Sequence, residues 1–248
     1  MTSLALFARR DATTLIVGFL VALTAQATTT GSGRVETESR DLTGFSAIAV
    51  RGEIELIVRQ GQREAVQVSA EDNLLPLLQT ALEGTSEGTR TLLIRWKSGE
   101  SVRHTKPVVV TVDLIRLSAL STAGSGDVTV EPLKTQSLTL SISGSSDAKF
   151  KQLDAERFNL SIVGSGDVRA AGKAARLEVS IAGSGDARLR ELVADDVSVS
   201  IAGSGDASVH AMKSLAVSIA GSGNVDYGGS AVLTRRRVAG SGSVQQRP

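Results

Sequence analysis

The sequence predicts an all-β protein, a parallel β-helix (solenoid) whose coils each contain roughly 20 residues. Two observations support this: a polar motif recurs at nearly constant spacing, and apolar residues alternate with polar ones on both sides of it. The motif is Gly-Ser-Gly-Asp or a close variant, and successive copies begin 18 to 20 residues apart. The seven copies begin at Gly124, Gly144, Gly164, Gly183, Gly203, Gly221 and Gly240. Such a period marks a repeated structural unit, so it decides the fold before any single motif is interpreted.

The apolar alternation identifies the strands of each unit. Leu177, Val179 and Ile181 precede one copy of the motif at a period of two, which is typical of a strand with one buried face. Alternation resumes after the motif at Ala187 and Leu189. Each unit is therefore expected to contain a strand, a tight corner, a second strand and a second corner. It can bury its apolar face only by stacking on neighbouring units.

Two arrangements of these strands fit the alternation. A meander could form a sandwich or a barrel, but it gives no reason for the same corner to recur every 20 residues or so. In a parallel β-helix each coil lies about 4.8 Å from the last, and equivalent residues stack on one another. We therefore favour the β-helix.

The regularity of the repeat sets the domain organisation. Residues 119–248 contain the regular coils, and residues 41–118 are interpreted as irregular coils of the same single domain, 41–248. A flexible segment is predicted at 28–40. The stretch NLLPLLQTALEG, residues 73–84, predicts a short helix or a loop folded over the sheet edge.

An early degenerate coil and a polar last coil are also predicted. In VRGEIELIV, residues 50–58, we expect Gly52 and Ile54 to take the places of Gly126 and Val128. The last copy is preceded by TRRRV, which contains Arg235–Arg237. Terminal coils need polar caps, because an open apolar strand would pair with another molecule. The alternative is a basic patch that docks on anionic lipid or polysaccharide.

The first 27 residues have the pattern of a signal peptide. Arg9 and Arg10 precede the apolar run TTLIVGFLVALTA, and Ala25-Gln26-Ala27 provides the small residues that a signal peptidase requires. We expect cleavage after Ala27 and export to the periplasm, the cell surface or the medium. An uncleaved anchor is the alternative, although the run is shorter than the ~20 residues of a membrane span. No transmembrane span is expected in the mature chain.

Composition excludes several function classes. Lys and Arg number 27 against 26 Asp and Glu, so there is no excess positive charge for a nucleic-acid partner. The chain has no cysteine, which excludes disulfides, thiolate metal sites and cysteine nucleophiles. Aromatic residues make up only 3% of the chain, which leaves few stacking platforms for sugars or bases.

The repeated corner fits a turn better than a binding loop. A phosphate loop leads into a helix, whereas an apolar strand follows each copy here. Calcium-binding β-helices use nine-residue repeats, which this period does not match. Glycines on both sides of the serine are expected to supply positive φ, and Ser146 should alter its own corner.

Stacked corners would align a ladder of carboxylates. Cations bound along the ladder would relieve its repulsion, whereas turn-forming aspartates would accept backbone hydrogen bonds within their own corners. Asn224 and Ser243 continue the ladder without charge, which favours the turn role. The candidate cation ligands are Asp127, Asp147, Asp167, Asp186 and Asp206.

No catalytic group and no cofactor site are predicted. The serines recur at equivalent positions, while only His104 and His210 could serve as a base, so a catalytic triad is not supported. Some β-helices act on acidic glycans with clustered charged residues. The candidates for such a site are Glu178, Arg169, Arg188 and Asp226, for which plain solvation of outward side chains is the simpler interpretation.

Several segments together resemble the bacterial auto-transporter adhesin, head GIN domain family. They are GFSAIAVRGEIELIVRQG, EDNLL, PVVVTVDL, the GSGDV repeats and the closing GSGNVDYGGS and VAGSGSV, in the family's order along nearly all of the mature chain. One departure is Asp113-Leu114, where members often carry a proline. The resemblance implies an exported right-handed β-helix with an adhesive role, and it transfers no catalytic residue.

The function predicted from sequence is a non-catalytic, exported cell-envelope protein, either adhesin-like or a surface or periplasmic module with a binding or structural role. Its envelope or extracellular ligand is not identified by the sequence; polysaccharide and protein are the candidate classes. The alternative is a polysaccharide lyase or hydrolase built on a β-helix scaffold.

Overall fold

The computed structural model describes residues 28–84 and 90–247. The predicted signal peptide, residues 1–27, and its cleavage site after Ala27 lie outside the described residues. Within the part that is described, no helix is long and apolar enough to cross a membrane.

The described chain is 72% β-strand, with one short 3₁₀ turn at Leu75–Leu77. The less regular part contains β1 (Thr28–Thr30), β2 (Val35–Arg40), β3 (Ala47–Gly52), β4 (Glu55–Gln60), β5 (Ala65–Glu71), β6 (Leu78–Gly84), β7 (Arg90–Trp96), β8 (Ser101–Arg103) and β9 (Val109–Leu114). The regular part contains β10 (Ala119–Gly124), β11 (Val128–Val130), β12 (Leu133–Gly144), β13 (Ala148–Gly164), β14 (Val168–Gly183), β15 (Ala187–Gly203), β16 (Ala207–Gly221), β17 (Asn224–Gly228), β18 (Val232–Gly240) and β19 (Ser243–Gln246).

The regular strands stack in parallel and in register, which confirms the predicted solenoid. Ile142 pairs with Ile162, Ile162 with Ile181, and Ile181 with Ile201. The first glycines of successive motifs pair in the same way. The solenoid has about six turns with a spacing of about 20 residues.

Each regular coil has three sides, whereas two strands and two corners were predicted. Within a coil, the alternation of buried and outward residues is interrupted where two outward residues follow each other. These interruptions divide the buried residues of the coil into three groups. We name the sides A, B and C in chain order after the Gly-Ser-Gly-Asp corner. In the coil of β15 the buried residues are Ala187 and Leu189 on side A, Leu192 and Ala194 on side B, and Val197, Val199 and Ile201 on side C.

The interior is one continuous apolar column. A single cluster of buried residues extends from Phe45 to Val225, so the irregular and regular parts share one core. The rings of Phe150 and Phe158 lie 5.6 Å apart, centre to centre, and fill the middle of one coil. Burial of apolar side chains of this size, at about 1.5–3 kcal/mol each, is the main stabilising contribution.

The first coil is formed by β3 and β4, but its register differs from the prediction. Gly52 pairs with Gly124, and Leu56 pairs with Val128. We had expected Gly52 to take the place of Gly126, two residues further on. A shift of two residues keeps every side chain on the same face of a strand, so the alternation could not reveal the error.

Antiparallel strands cover the N-terminal end of the solenoid. Strands β7 and β9 lie parallel to β3 and β4 and form the next layer, and then β6 pairs antiparallel with β7. Strand β5 pairs antiparallel with β9, and β2 with β5. The segment 28–40, which we predicted to be flexible, contains the paired strands β1 and β2. Residues 73–84 form the 3₁₀ turn and then β6, rather than a helix or a loop.

A buried carboxylate fastens this end. Glu71 is fully buried and accepts hydrogen bonds from Thr105 Oγ1 at 2.6 Å, Thr105 N at 2.8 Å and Gly33 N at 2.6 Å. The Thr105 hydroxyl and these backbone N–H groups lower the pKa of Glu71, because they stabilise its ionised form. The carboxylate thereby joins the N-terminal segment to the loop after β8.

Thr122 breaks the pattern of the core. It occupies a position where the next coil has Ile142, and its side-chain Oγ1 is buried without a hydrogen-bond partner among the described residues. An unsatisfied buried hydroxyl costs about 1–3 kcal/mol. The fold tolerates this cost because the remaining core is continuous.

We predict that Thr122→Val stabilises the protein by about 1–2 kcal/mol, because valine has the same shape and no polar atom to satisfy. Thermal unfolding should show a melting temperature about 2–6 °C higher than that of the wild type. The control is Thr139→Val, since Thr139 points outward on β12 and should leave the melting temperature nearly unchanged. A decrease for Thr122→Val would show that the hydroxyl has an unrecognised partner.

Candidate functional site

The repeated corner is built by close contact between the backbones of successive coils. Gly183 has a φ of +133°, which favours glycine, but Gly185 has no positive φ. A Cβ atom added at Gly185 would overlap the carbonyl oxygen of Gly166 and press on Ile162 Cγ2. At Gly185 the glycine is therefore required for space rather than for positive φ, which corrects the prediction, whereas the coil of Ser146 accommodates a serine at the same position.

Backbone hydrogen bonds reinforce these corners. Ser184 N donates to Gly164 O at 2.9 Å, and Gly185 N donates to the same oxygen at 3.1 Å. The same pair of hydrogen bonds to one carbonyl oxygen recurs at the corners of Gly205, Gly223 and Gly242. Ser146 lacks the second bond among the described contacts, but so do the glycines Gly126 and Gly166. An altered corner at Ser146 therefore stays a prediction.

The aspartate ladder connects one coil to the next. Asp147 Oδ1 accepts from Asp167 N at 2.9 Å, and Asp186 Oδ1 accepts from Asp206 N at 3.0 Å. Asp206 Oδ1 accepts from Asn224 N at 2.8 Å. We predicted hydrogen bonds within each aspartate's own corner, whereas these carboxylates bind the N–H of the following coil.

The uncharged end of the ladder makes the same contact. Asn224 Oδ1 accepts from Ser243 N at 3.1 Å and from Ser243 Oγ at 2.8 Å. An amide oxygen therefore replaces the carboxylate, so charge is not required for this contact.

An arginine balances part of the ladder's charge. Arg188 Nη1 lies 2.8 Å from Asp167 Oδ2, and Arg188 Nη2 lies 3.0 Å from Asp186 Oδ2. Among residues 28–84 and 90–247, no group of three or more His, Asp or Glu side chains is arranged to hold a metal ion. Cation binding by the ladder thus stays a prediction, and Arg188 supplies positive charge at the place where we expected a cation to lie.

Side A carries a second column, beside the ladder. These residues stand five positions after the first glycine and point outward, in register from coil to coil. The column consists of Thr129, Lys149, Arg169, Arg188, Ser208, Asp226 and Gln245.

The C-terminal part of this column, together with the adjacent part of the ladder, forms the walls of an open polar cleft of about 490 Å³. Arg247 closes it at one end, with its Nε 2.8 Å from Asp226 Oδ2. We name the column and the ladder together the ladder face. Lys149, Gln245 and Arg247 were not predicted, although the repeat spacing places Lys149 and Gln245 in the same column as Arg169.

The candidates for an enzyme site are separated by the fold. Arg169, Arg188 and Asp226 lie on side A, whereas Glu178 pairs with Asn159 and Ser198 on side C. The four side chains therefore do not converge on one substrate.

The serines and histidines are also apart. The serine column on side C is in register from Ser121 to Ser218, as the repeat predicted. His210 pairs in register with Gly228 near the end of side A, and His104 Nε2 lies 3.4 Å from Glu53 Oε2 near the N-terminal end. Neither histidine is placed as a base for the serine column.

The fold and its surface columns define a β-solenoid protein with regularly repeated polar groups. The chain belongs to the family described as "Putative auto-transporter adhesin, head GIN domain", whose profile matches residues 44–231. This confirms the resemblance found in the sequence and supports an adhesin-like role. No curated protein matches the chain.

Solved structures share this fold. A "putative adhesin" from Bacteroides fragilis has a TM-score of 0.80 at 24% identity, and the alignment covers 88% of this chain and 100% of that one. A second, from Parabacteroides merdae, has a TM-score of 0.67 at 22% identity, covering 89% and 99%. A "putative lipid binding protein" from Parabacteroides distasonis has a TM-score of 0.70 at 25% identity, covering 90% and 100%.

We predict that Gly185→Ala destabilises the protein by about 3 kcal/mol or more, because the new methyl group must displace the backbone of the coil beneath it. Gly61→Ala is the control, since the space around Gly61 is open and its φ is not positive. It should change the free energy of unfolding by less than about 1 kcal/mol. Urea unfolding of both variants measures the difference, and equal stabilities would contradict the close-contact explanation.

We predict that Asp186→Ala lowers the free energy of unfolding by about 1–2 kcal/mol, because Asp206 N loses its acceptor. Asp186→Asn should lower it by clearly less, since Asn224 makes the same contact in the native chain. Calcium should leave all melting temperatures unchanged if the ladder is structural. A calcium-dependent increase that is present in the wild type and lost in Asp186→Asn would instead support cation binding.

Proposed function

We propose that this protein is an exported, non-catalytic adhesion module of the cell envelope that binds an external ligand through its ladder face. The observation that carries the proposal is the register of side A. It holds carboxylate, amide, hydroxyl and guanidinium groups at fixed positions on successive coils. Family membership supports the adhesive role, and the signal-peptide pattern of residues 1–27 supports export.

A polymeric ligand suits this surface. Polar groups recur about every 4.8 Å along the solenoid axis, so an extended chain would meet a polar contact at each coil, although the chemical group differs from coil to coil. The cleft contains both donors and acceptors, and its lining has few apolar atoms to bury a lipid tail. A polysaccharide or an extended protein segment is the ligand class that these groups favour.

The alternative function is a polysaccharide lyase or hydrolase. General acid and base groups must reach the same bond for that chemistry. Since Glu178 lies on side C and Asp226 on side A, the separation of the candidate groups favours binding without cleavage.

We expect Ser208→Trp to weaken binding by about tenfold or more, because an indole at this position would fill the cleft. The matched control is Ser198→Trp, which adds the same side chain at an outward position on side C and should change affinity less than about twofold. Labelled protein is applied to arrays of envelope and extracellular glycans and proteins, and affinities are measured for each ligand retained. Equal losses from both variants would place the site elsewhere.

Two further measurements test the class of function and the location. The purified protein is incubated with the retained glycans, with and without calcium, and released products are analysed by mass spectrometry. Product release would overturn the non-catalytic proposal. Fractionation of cells that express the tagged full-length chain should place it outside the cytoplasm, and recovery of the uncleaved chain from the cytoplasm would contradict export.

A further inference from the structure

The C-terminal end of the solenoid carries an unusual concentration of positive charge. Strand β18 contains Arg235, Arg236 and Arg237 in succession, and all three are exposed. None of them forms an ion pair among the described residues. Such a cluster repels itself and gains stability from an anionic partner.

Strand β18 is also the edge of its sheet. It pairs in parallel with β16, and no other described strand pairs with its outer side. A strand edge presents a row of unpaired backbone N–H and C=O groups that can accept another strand. Val232 and Val238, on the same strand, are 68% and 37% exposed.

The register shows that the three arginines do not face the same way. Arg235 and Arg237 pair with Ala216 and Ser218, which point outward from side C. Arg236 pairs with Val217, a buried core residue, and therefore stands over the open end of the core. A flat membrane or a polymer lying on side C would contact Arg235 and Arg237 but not Arg236. A strand that continues the sheet would meet all three.

The opposite end of the solenoid differs in charge. The exposed strand β2 also carries charged side chains, but Glu38 lies 2.8 Å from Arg40, and Glu36 lies 3.6 Å from Arg34. These charges are compensated within the chain, whereas those of β18 are not. Two copies meeting through their β18 edges would bring six arginines together, and the repulsion among them disfavours that form of self-association.

We propose that the outer edge of β18 is a docking site for an extended acidic segment of a partner protein, which adds as a further strand. Its backbone pairs with β18, and acidic side chains on its two faces pair with Arg235 and Arg237 on one side and with Arg236 on the other. This is recognition by strand addition, in which main-chain hydrogen bonds give affinity and side chains give specificity. The site is separate from the ladder face, because β18 continues side C.

The experiment uses a fluorescent peptide, Thr-Val-Glu-Glu-Glu-Val-Thr-Val, titrated against the purified protein at low and physiological salt. We expect saturable binding that weakens as salt increases. A second peptide of the same sequence carries N-methyl groups on alternate residues along its pairing edge. It keeps the charge but lacks the backbone donors, so its affinity should be at least tenfold lower.

Protein variants separate strand addition from general attraction. Arg236→Ala should lower the affinity for the acidic peptide about tenfold, although it leaves the two outward arginines in place. The control Arg176→Ala removes an exposed arginine elsewhere on the solenoid and should have little effect. Melting temperatures of both variants should match that of the wild type, which verifies that the last coil is intact.

Several outcomes would overturn the proposal. One is no binding of the unmethylated peptide, and another is equal binding of the N-methylated peptide, which would indicate attraction without strand pairing. A third is capture of the protein by phosphatidylglycerol vesicles in a manner that depends on Arg235 and Arg237 but not on Arg236. A fourth is a mass by light scattering that shows the edge already occupied by a second copy.

Discussion

The structure depends on the contact between corner backbones of successive coils. At Gly183 and Gly185 the carbonyl oxygen of the coil beneath occupies the space that a side chain would need. Glycine at these positions lets the coils approach to the spacing at which parallel strands exchange hydrogen bonds. If the corners were held further apart, the register of all three sides would be lost, together with the continuous core that stabilises the molecule.

The same contact organises the surface. Because each corner repeats in register, an outward residue on one coil lies beside the equivalent residue of the next, and columns of like groups result. Columns of like charge repel, and the molecule relieves this repulsion locally. Carboxylates such as Asp186 accept a backbone N–H from the following coil, and Arg188 lies between two of them. The ladder face is thus a product of the packing, and the side chains of its ladder are positioned by hydrogen bonds between successive coils.

The sequence predicted what is periodic and failed where periodicity ends. Repeat spacing was sufficient for the fold, the parallel register and the serine column. It could not detect the two-residue shift at Gly52, because alternation is unchanged by an even shift. The antiparallel cover formed by β2, β5 and β6 depends on contacts between distant segments, such as those of Glu71, which no local pattern encodes. In the ladder face, the column was predictable from spacing, whereas the contact of Asp186 with the following coil was not.

Each end of a solenoid exposes apolar core and an unpaired strand edge, and the two ends of this molecule protect them with different chemical groups. At the N-terminal end the chain folds antiparallel strands over the core, and charges such as Glu38 and Arg40 compensate each other. At the C-terminal end β18 keeps the parallel direction of the coils, and Arg236 stands over the core residue Val217. Arginine there prevents pairing with another arginine-bearing edge, yet it leaves the backbone of β18 available. The β18 edge repels the same edge of another copy but accepts an acidic strand. It thereby combines protection from aggregation with selectivity for a partner.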